Sequence, residues 1–456
     1  MEEKVLKKNK YEIDMCSGAL LPKIVLFTLP LMLSGILQLL FNAADIVVVG
    51  RFAGNEELAA VGSCGSLINL IVNVFIGLSV GANVMVARFY GAGQKKELEE
   101  MIHTAIATAL VSGVILIFLG IIVARPALTL MATPEDVIEH SVFYMRIYFV
   151  GMPVMMLYNF GSAILRAVGD TKRPLYYLLL AGVINVVLNL IFVIYFHMGV
   201  AGVAWATVIS QVVSALLVLR CLIQYDGELK LNLRKLRIVP DKFLKMVRIG
   251  LPAGVQGAFF SISNMLIQSS VNSFGSTVMA GNTAAGNIEG FVYTAMNALH
   301  QTAISFSGQN FGAKKYKRIA KVVLICELCV LIIGLVMGNL VYIFGEIFLQ
   351  LYSVDPEVIR YGMLRMSIIC TTYCLCGMMD VMVGALRGIG RSVMPMLVTL
   401  TGVCVFRVVW IFTVFAEYRS LEVLYISYPI SWAVTILVHT GCFIYVYHKT
   451  MMGRDE

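Results

Sequence analysis

LFTLPLMLSGILQLLFNAADIVVVGRFAG, residues 26–54, is an apolar run long enough to cross a bilayer, and it carries one acid, Asp45, near its far end. An ionisable side chain inside such a segment is expensive and marks a functional candidate. Helical spacing gives Asp45 polar company, because Asn42 stands at i−3 and Gln38 at i−7, so the three share one face. That face cannot meet lipid without stranding its polar groups, so it is expected to line a cavity or a neighbouring helix. Two other readings of these residues stay open: a polar stripe that joins helices, and an Asp that reaches headgroup water.

The same character extends along the chain. Of its 456 residues 59% are hydrophobic, with a mean hydropathy of +0.84, against roughly 45–50% apolar in soluble domains. Only 14% are charged, and these cluster between the apolar runs. A soluble globular domain is excluded, and an all-α membrane protein is expected. The N-terminus, MEEKVLKKNK, leads into a full-length span without a small-residue cleavage site, so no cleavable leader is expected. Cys326/Cys329 and Cys370/Cys374/Cys376 are closely spaced but have no His beside them, and read as small apolar packing residues rather than metal ligands.

Twelve spans are expected, at 24–49, 57–88, 98–124, 137–164, 174–196, 201–223, 243–273, 281–310, 319–344, 357–386, 394–416 and 424–448. Lys and Arg set their orientation. The termini and every second loop hold 28 of the 35 basic residues, the six loops on the other side hold 5, and Arg146 and Arg407 lie inside spans. Loops rich in Lys and Arg stay in the cytoplasm, which places both termini there, in the cell membrane. The net charge of +8 is then a matter of topology, and no nucleic-acid partner is expected.

The chain also repeats itself. Leu29-Pro30 recurs as Leu251-Pro252, Gly91-Ala92 as Gly312-Ala313, Pro134-Glu135 as Pro356-Glu357, LRAVG at 165–169 as LRGIG at 386–390, and Pro174 as Pro395, at an offset that is constant to within one position. The polar stretch 226–242 separates the copies, giving an N-terminal six-helix lobe at 1–225, a cytoplasmic linker at 226–242 and a C-terminal six-helix lobe at 243–456. Six spans per copy make this a parallel repeat about an axis along the membrane normal, the architecture of a transporter.

Most loop motifs read structurally. YGAGQKK and FGAKKYK end long helices, where Gly serves as a cap and Lys suits both the helix terminus and anionic lipid. The spans hold more chemistry. Asn185 and Asn189 share a face of the fifth, and Thr207 and Gln211 a face of the sixth. Each pair alone is ordinary interhelical glue. Joined to Asp45, they would supply a carboxylate, amide oxygens and a hydroxyl, a hard-oxygen set suited to a proton or Na⁺. The eighth span holds Glu289, Asn297, His300 and Gln301. Arg407, an isolated cation in mid-span, calls for an acid partner such as Glu289 or Glu327.

LPLMLSGILQLLFNAADIVVVGRFAG followed by ELAAVG, the Gly-Ala-Lys loops after spans two and eight, and the paired LRG-type loops resemble the multidrug and toxic compound extrusion (MATE) family, over residues 17–448. The resemblance implies a V-shaped pair of six-helix lobes that exports bulky amphipathic compounds, driven by inward H⁺ or Na⁺. It places Asp45 on the family's coupling acid, and Asn185, Asn189 and Thr207 on its N-lobe ion site. Two positions depart from the pattern. Asn189 stands where DinF-like members often have Asp, and Phe260 where NorM-type members carry Glu. Coupling should therefore rest on Asp45.

The resulting expectation is an antiporter exporting amphipathic cations, monomeric, needing no cofactor beyond its coupling ion. Its substrate cavity would be lined by Gln38, Asn42, Glu289, Asn297, Gln301 and Arg407. The alternative within the same wider superfamily is a flippase of lipid-linked saccharide, which would want many intramembrane Arg and Lys. No H-E-x-x-H, G-x-S-x-G or P-loop is present, so an enzyme is not expected.

Overall fold

The computed structural model describes residues 10–131, 133–225 and 227–450, which form helices and no strand. In the first half follow α1 (Leu20–Phe52), α2 (Asn55–Gly91), α3 (Lys95–Leu130), α4 (Glu135–Val150), α5 (Met152–Ala167), α6 (Lys172–Leu190) and α7 (Gly199–Ile223). The second half holds α8 (Pro240–Asn272), α9 (Ser276–Gly312), α10 (Tyr316–Ile343), α11 (Gly345–Gln350), α12 (Pro356–Gly388), α13 (Val393–Thr399), α14 (Phe406–Phe412), α15 (Val414–Glu417) and α16 (Leu421–Thr450). Wider π-helical turns extend α6 through Ile191–Tyr195 and join α13 to α14 through Leu400–Val405.

With α4 and α5 taken as one span, and α13 to α15 as another, each of the twelve expected spans falls on helix. Nine helices among the described residues are apolar enough to cross a membrane, and the α4/α5 pair makes a tenth. The two left over are α8 and α9, which have the length, at 33 and 37 residues, but a more polar composition. Between α4 and α5 the axis bends by 49°. Pro153, without an N–H, cannot carry the ladder of α4 across Gly151. On α3, a Cβ at Gly113 would stand 2.3 Å from Pro153 Cα, so α3 lies directly against the bend.

By contacts the chain forms two units. The first comprises Leu33–Gly254 and the segment ending at Met15; the second comprises Cys16–Met32 and the segment from Val255 onward. The sequence copies are divided at the polar linker, whereas the contact units divide inside α1 and α8, shortly after the equivalent prolines Pro30 and Pro252.

Close helix packing in each unit rests on small residues. In the first, Gly77 and Gly81 of α2 meet the start of α8: a Cβ at Gly77 would lie 2.3 Å from Gly254 N, and one at Gly81 2.2 Å from Met246 O. In the second, Gly334 and Gly338 of α10 lie against α12, where added Cβ atoms would sit 2.6 Å from Cys374 Cα and 2.2 Å from Cys370 O. This is the approach that small-residue spacing permits between membrane helices. Cys370 and Cys374 thus serve as narrow packing residues.

Candidate ion site and the charges of the second unit

In the first unit, α1 and α6 approach where Gly182 leaves room for the Phe41 ring; a Cβ on Gly182 would overlap that ring at 1.8 Å. One turn beyond Phe41 on α1 comes Asp45, and beyond Gly182 on α6 come Asn185 and Asn189. Asn189 Nδ2 donates a hydrogen bond to Asp45 Oδ1. The same nitrogen donates to Asn185 Oδ1 at 3.3 Å, and Asn185 Nδ2 donates to Thr207 Oγ1 at 3.4 Å. Thr207 closes the chain by donating to the Val203 carbonyl at 2.9 Å.

Asp45 is half-buried, and Asn185 and Asn189 are buried. The donor meeting the carboxylate is the neutral amide of Asn189, so its charge is solvated without being cancelled. Asn189 Oδ1 is buried and has no hydrogen-bond partner among the described residues. An orphaned amide oxygen beside a carboxylate fits a small hard cation, for which both are natural ligands. Beyond the acid, Val48, Val49, Val193 and Val203 form an apolar cluster that keeps this end of the site dry.

Hydrogen bonds therefore join Asp45 of α1, Asn185 and Asn189 of α6 and Thr207 of α7. Gln38 and Asn42, on the same face of α1, are exposed. Tyr144 and Tyr148 of α4 lie within electrostatic reach of Asp45, and sequence reading did not single them out. Their spacing of four is a helical-face signal, but aromatic residues at that spacing are common throughout this chain.

The second unit arranges its charges differently. Arg365 of α12 grips Glu289 of α9 through two hydrogen bonds, 3.0 and 2.7 Å, and a third nitrogen donates to Asn282 Oδ1 at 2.7 Å. Tyr425 OH donates to the same amide oxygen at 3.1 Å, and Asn282 Nδ2 to Gln268 Oε1 at 2.8 Å. Glu289 is buried, and its charge is cancelled by a fixed cation.

Arg407 has no acid for a partner among the described residues, which corrects the expectation of Glu289 or Glu327. Its guanidinium lies 4.0 Å over the Tyr428 ring and 5.5 Å from that of Trp432, and Nε donates to Ser431 Oγ at 3.1 Å. A weakly hydrated, planar guanidinium is well suited to being held over aromatic faces in this way. Glu289 is taken by Arg365, and both oxygens of Glu327 are buried without a hydrogen-bond partner among the described residues. Arg365, which sequence reading did not single out, lies inside α12.

Asn297 and Gln301 are half-buried. Tyr293, one turn before Asn297, bonds both that amide and Asp380. His300 is buried, and its Nδ1 lies 2.6 Å from the Asp380 carbonyl, as befits a satisfied interior histidine. No cluster of metal-ligating side chains occurs among the described residues.

Comparison with known proteins follows the same outline. The family profile MatE matches twice, at residues 30–191 and 252–413, so the two matches are spaced as the repeated motifs are. The chain is 29% identical over 441 residues to the probable multidrug resistance protein YoeA of Bacillus subtilis (strain 168), covering 94% of each. It is 25% identical to the probable multidrug resistance protein NorM of Thermotoga maritima, covering 84% of this chain and 82% of the relative. A protein described as an FAD transporter, from Shewanella oneidensis, is 24% identical, covering 81% and 82%. A solved structure of an outward-facing multidrug resistance MATE family transporter superposes with a TM-score of 0.90 at 22% identity, covering 97% of this chain and all of that one.

Proposed function

This chain belongs to the MatE family of membrane transporters, and we propose that it is a secondary active antiporter exporting amphipathic, cationic compounds in exchange for H⁺ or Na⁺. The observation that carries the proposal is the bonded chain Asp45–Asn189–Asn185–Thr207 with its orphaned amide oxygen. Relatives described as multidrug resistance proteins support an exporter of drug-like compounds. The Lys and Arg asymmetry of the loops supports placing both termini in the cytoplasm.

The cycle follows from the cost of charge. With Asp45 ionised, a cationic substrate in the cavity has a counter-charge nearby. Uptake of H⁺ or Na⁺ from outside neutralises that charge, and the substrate loses its partner and leaves. The loaded site then favours the inward-facing state, where the ion escapes. Exchange of one monovalent cation for one H⁺ or Na⁺ moves no net charge, so the drive is the ion's own concentration gradient, ~1.4 kcal/mol for each factor of ten. Arg365 is neutralised by Glu289, so the second unit does not offer the array of free cations that a flippase of pyrophosphate-linked saccharide would want.

The test is transport by proteoliposomes under an imposed pH or Na⁺ gradient, with a fluorescent cation as cargo. Gradient-driven accumulation by the wild type, absent from Asp45→Asn, is the expected result. Equal accumulation by a correctly inserted Asp45→Asn protein would refute the coupling role.

A further inference from the structure

The linker between the sequence copies is folded onto the first unit. Leu231 is buried, Asn232 N donates to His103 Nε2 at 3.1 Å, and Val239 N donates to Thr104 Oγ1 at 3.1 Å. These bonds lay residues 231–239 over the first turns of α3 and border an open cleft of about 560 Å³. Four cations line it, Lys96, Arg234, Lys235 and Arg237, against two acids, Glu99 and Glu100.

The acids are already engaged. Lys235 Nζ lies 2.9 Å from Glu99 Oε1, and Arg237 lies 3.9 Å from Glu100 Oε1. The side chains of Lys96 and Arg234 are exposed and form no ion pair among the described residues. His103 adds no charge. Its Nδ1 donates to the Glu99 carbonyl at 2.7 Å while Nε2 accepts from Asn232, a pairing that only the neutral ring allows. The cleft therefore carries two surplus positive charges on walls held in place by backbone hydrogen bonds.

We propose that this cleft binds a phosphate group. Its volume falls within the range usual for small-ligand sites. It opens among the loops that the basic residues assign to the cytoplasm, where clustered Lys and Arg attract anionic headgroups. A cation is disfavoured there because both acids have partners. The phosphate could be that of an anionic lipid or of a soluble phosphate compound. Either would clamp the linker to α3. The inference is independent of the antiport reading and of Asp45.

The experiment uses full-length protein in nanodiscs of phosphatidylcholine, alone or with phosphatidylglycerol, and compares wild type with the double variant Lys96→Gln/Arg234→Gln. A second pair, Lys317→Gln/Lys321→Gln, removes the same charge from the first turns of α10 in the other unit. Native mass spectrometry reads retained phosphatidylglycerol, and calorimetry in phosphatidylcholine discs reads binding of inorganic phosphate. At least about a tenfold weakening of one of these ligands in the Lys96/Arg234 variant, with the control pair unchanged, is the expected result. A loss confined to phosphatidylglycerol identifies a lipid headgroup, and one confined to inorganic phosphate a soluble ligand. If the Lys96/Arg234 variant binds both as tightly as the control pair does, the proposal fails.

Discussion

Two intramembrane carboxylates of this chain, Asp45 and Glu289, have opposite surroundings. Glu289 is clasped by Arg365 through two short hydrogen bonds, within a network that includes Asn282 and Tyr425. Asp45 meets an amide donor, and no ion pair to it occurs among the described residues. The first arrangement is a structural one. A carboxylate saturated by a fixed guanidinium has no charge left to exchange, and taking up a proton would strand the half-buried Arg365. An acid solvated by amides can take up a proton or Na⁺, since nothing positive is abandoned when it does.

The contrast can be broken most directly at Asp45. Asp45→Asn keeps the contact with Asn189 and removes the charge, so accumulation, about tenfold for a tenfold ion gradient in a one-for-one exchange, should fall to unity. Accumulation in proteoliposomes, together with normal membrane insertion, measures this. If Glu289→Gln instead abolished accumulation without loss of stability, the two roles would be reversed.

Next in size is the expected stability change at the pair. Glu289→Gln leaves Arg365 charged and half-buried without its acid, which should cost about 3–5 kcal/mol. The thermal unfolding midpoint in detergent should drop accordingly. Replacing both partners, Glu289→Met with Arg365→Met, should recover most of that loss, because no unpaired charge remains. The corresponding Asp45→Asn protein should unfold close to wild type.

A smaller effect sharpens the picture of the first site. Asn189→Ala removes both the donor to Asp45 and the orphaned oxygen, and should raise the half-saturating ion concentration about 10–100-fold. Ion titration of transport, with maximal rate as the second readout, separates this from a folding defect. Smallest of all, Gln38→Ala or Asn42→Ala should leave ion half-saturation within about twofold, as expected of exposed side chains outside the bonded chain. A change in the relative transport of different cations would then assign these two to substrate contact.

Much of the first site was legible because its signals are local. Asp45 stands out as an acid in an apolar run, and Asn185 and Asn189 share a helix face by their spacing alone. The second unit was less legible. Arg407 was expected to find an acid, but Tyr428 and Trp432 supply its partner faces, and aromatic residues in this chain are too frequent to mark a cation site. Arg365 was not singled out, because it stands near the start of its span, where an Arg normally reaches headgroup water. Glu289, on a different helix, is what keeps it inside. The more polar α8 and α9 fall short of the apolar composition of the other spans, although both were expected as spans, at 243–273 and 281–310.

The sequence by itself determined the helical spans, their charge asymmetry, the near-constant spacing of the repeat and the residues eligible for chemistry. It could do so because hydrocarbon forces each segment to satisfy its own backbone, so that a window of about 20 residues already carries the decision. Tertiary structure alone decided which charge meets which. Asp45 and Asn189 are 144 positions apart, and Glu289 and Arg365 are 76 apart. Such pairings depend on where a missing Cβ, as at Gly182, lets two helices close, and no local pattern encodes that distance.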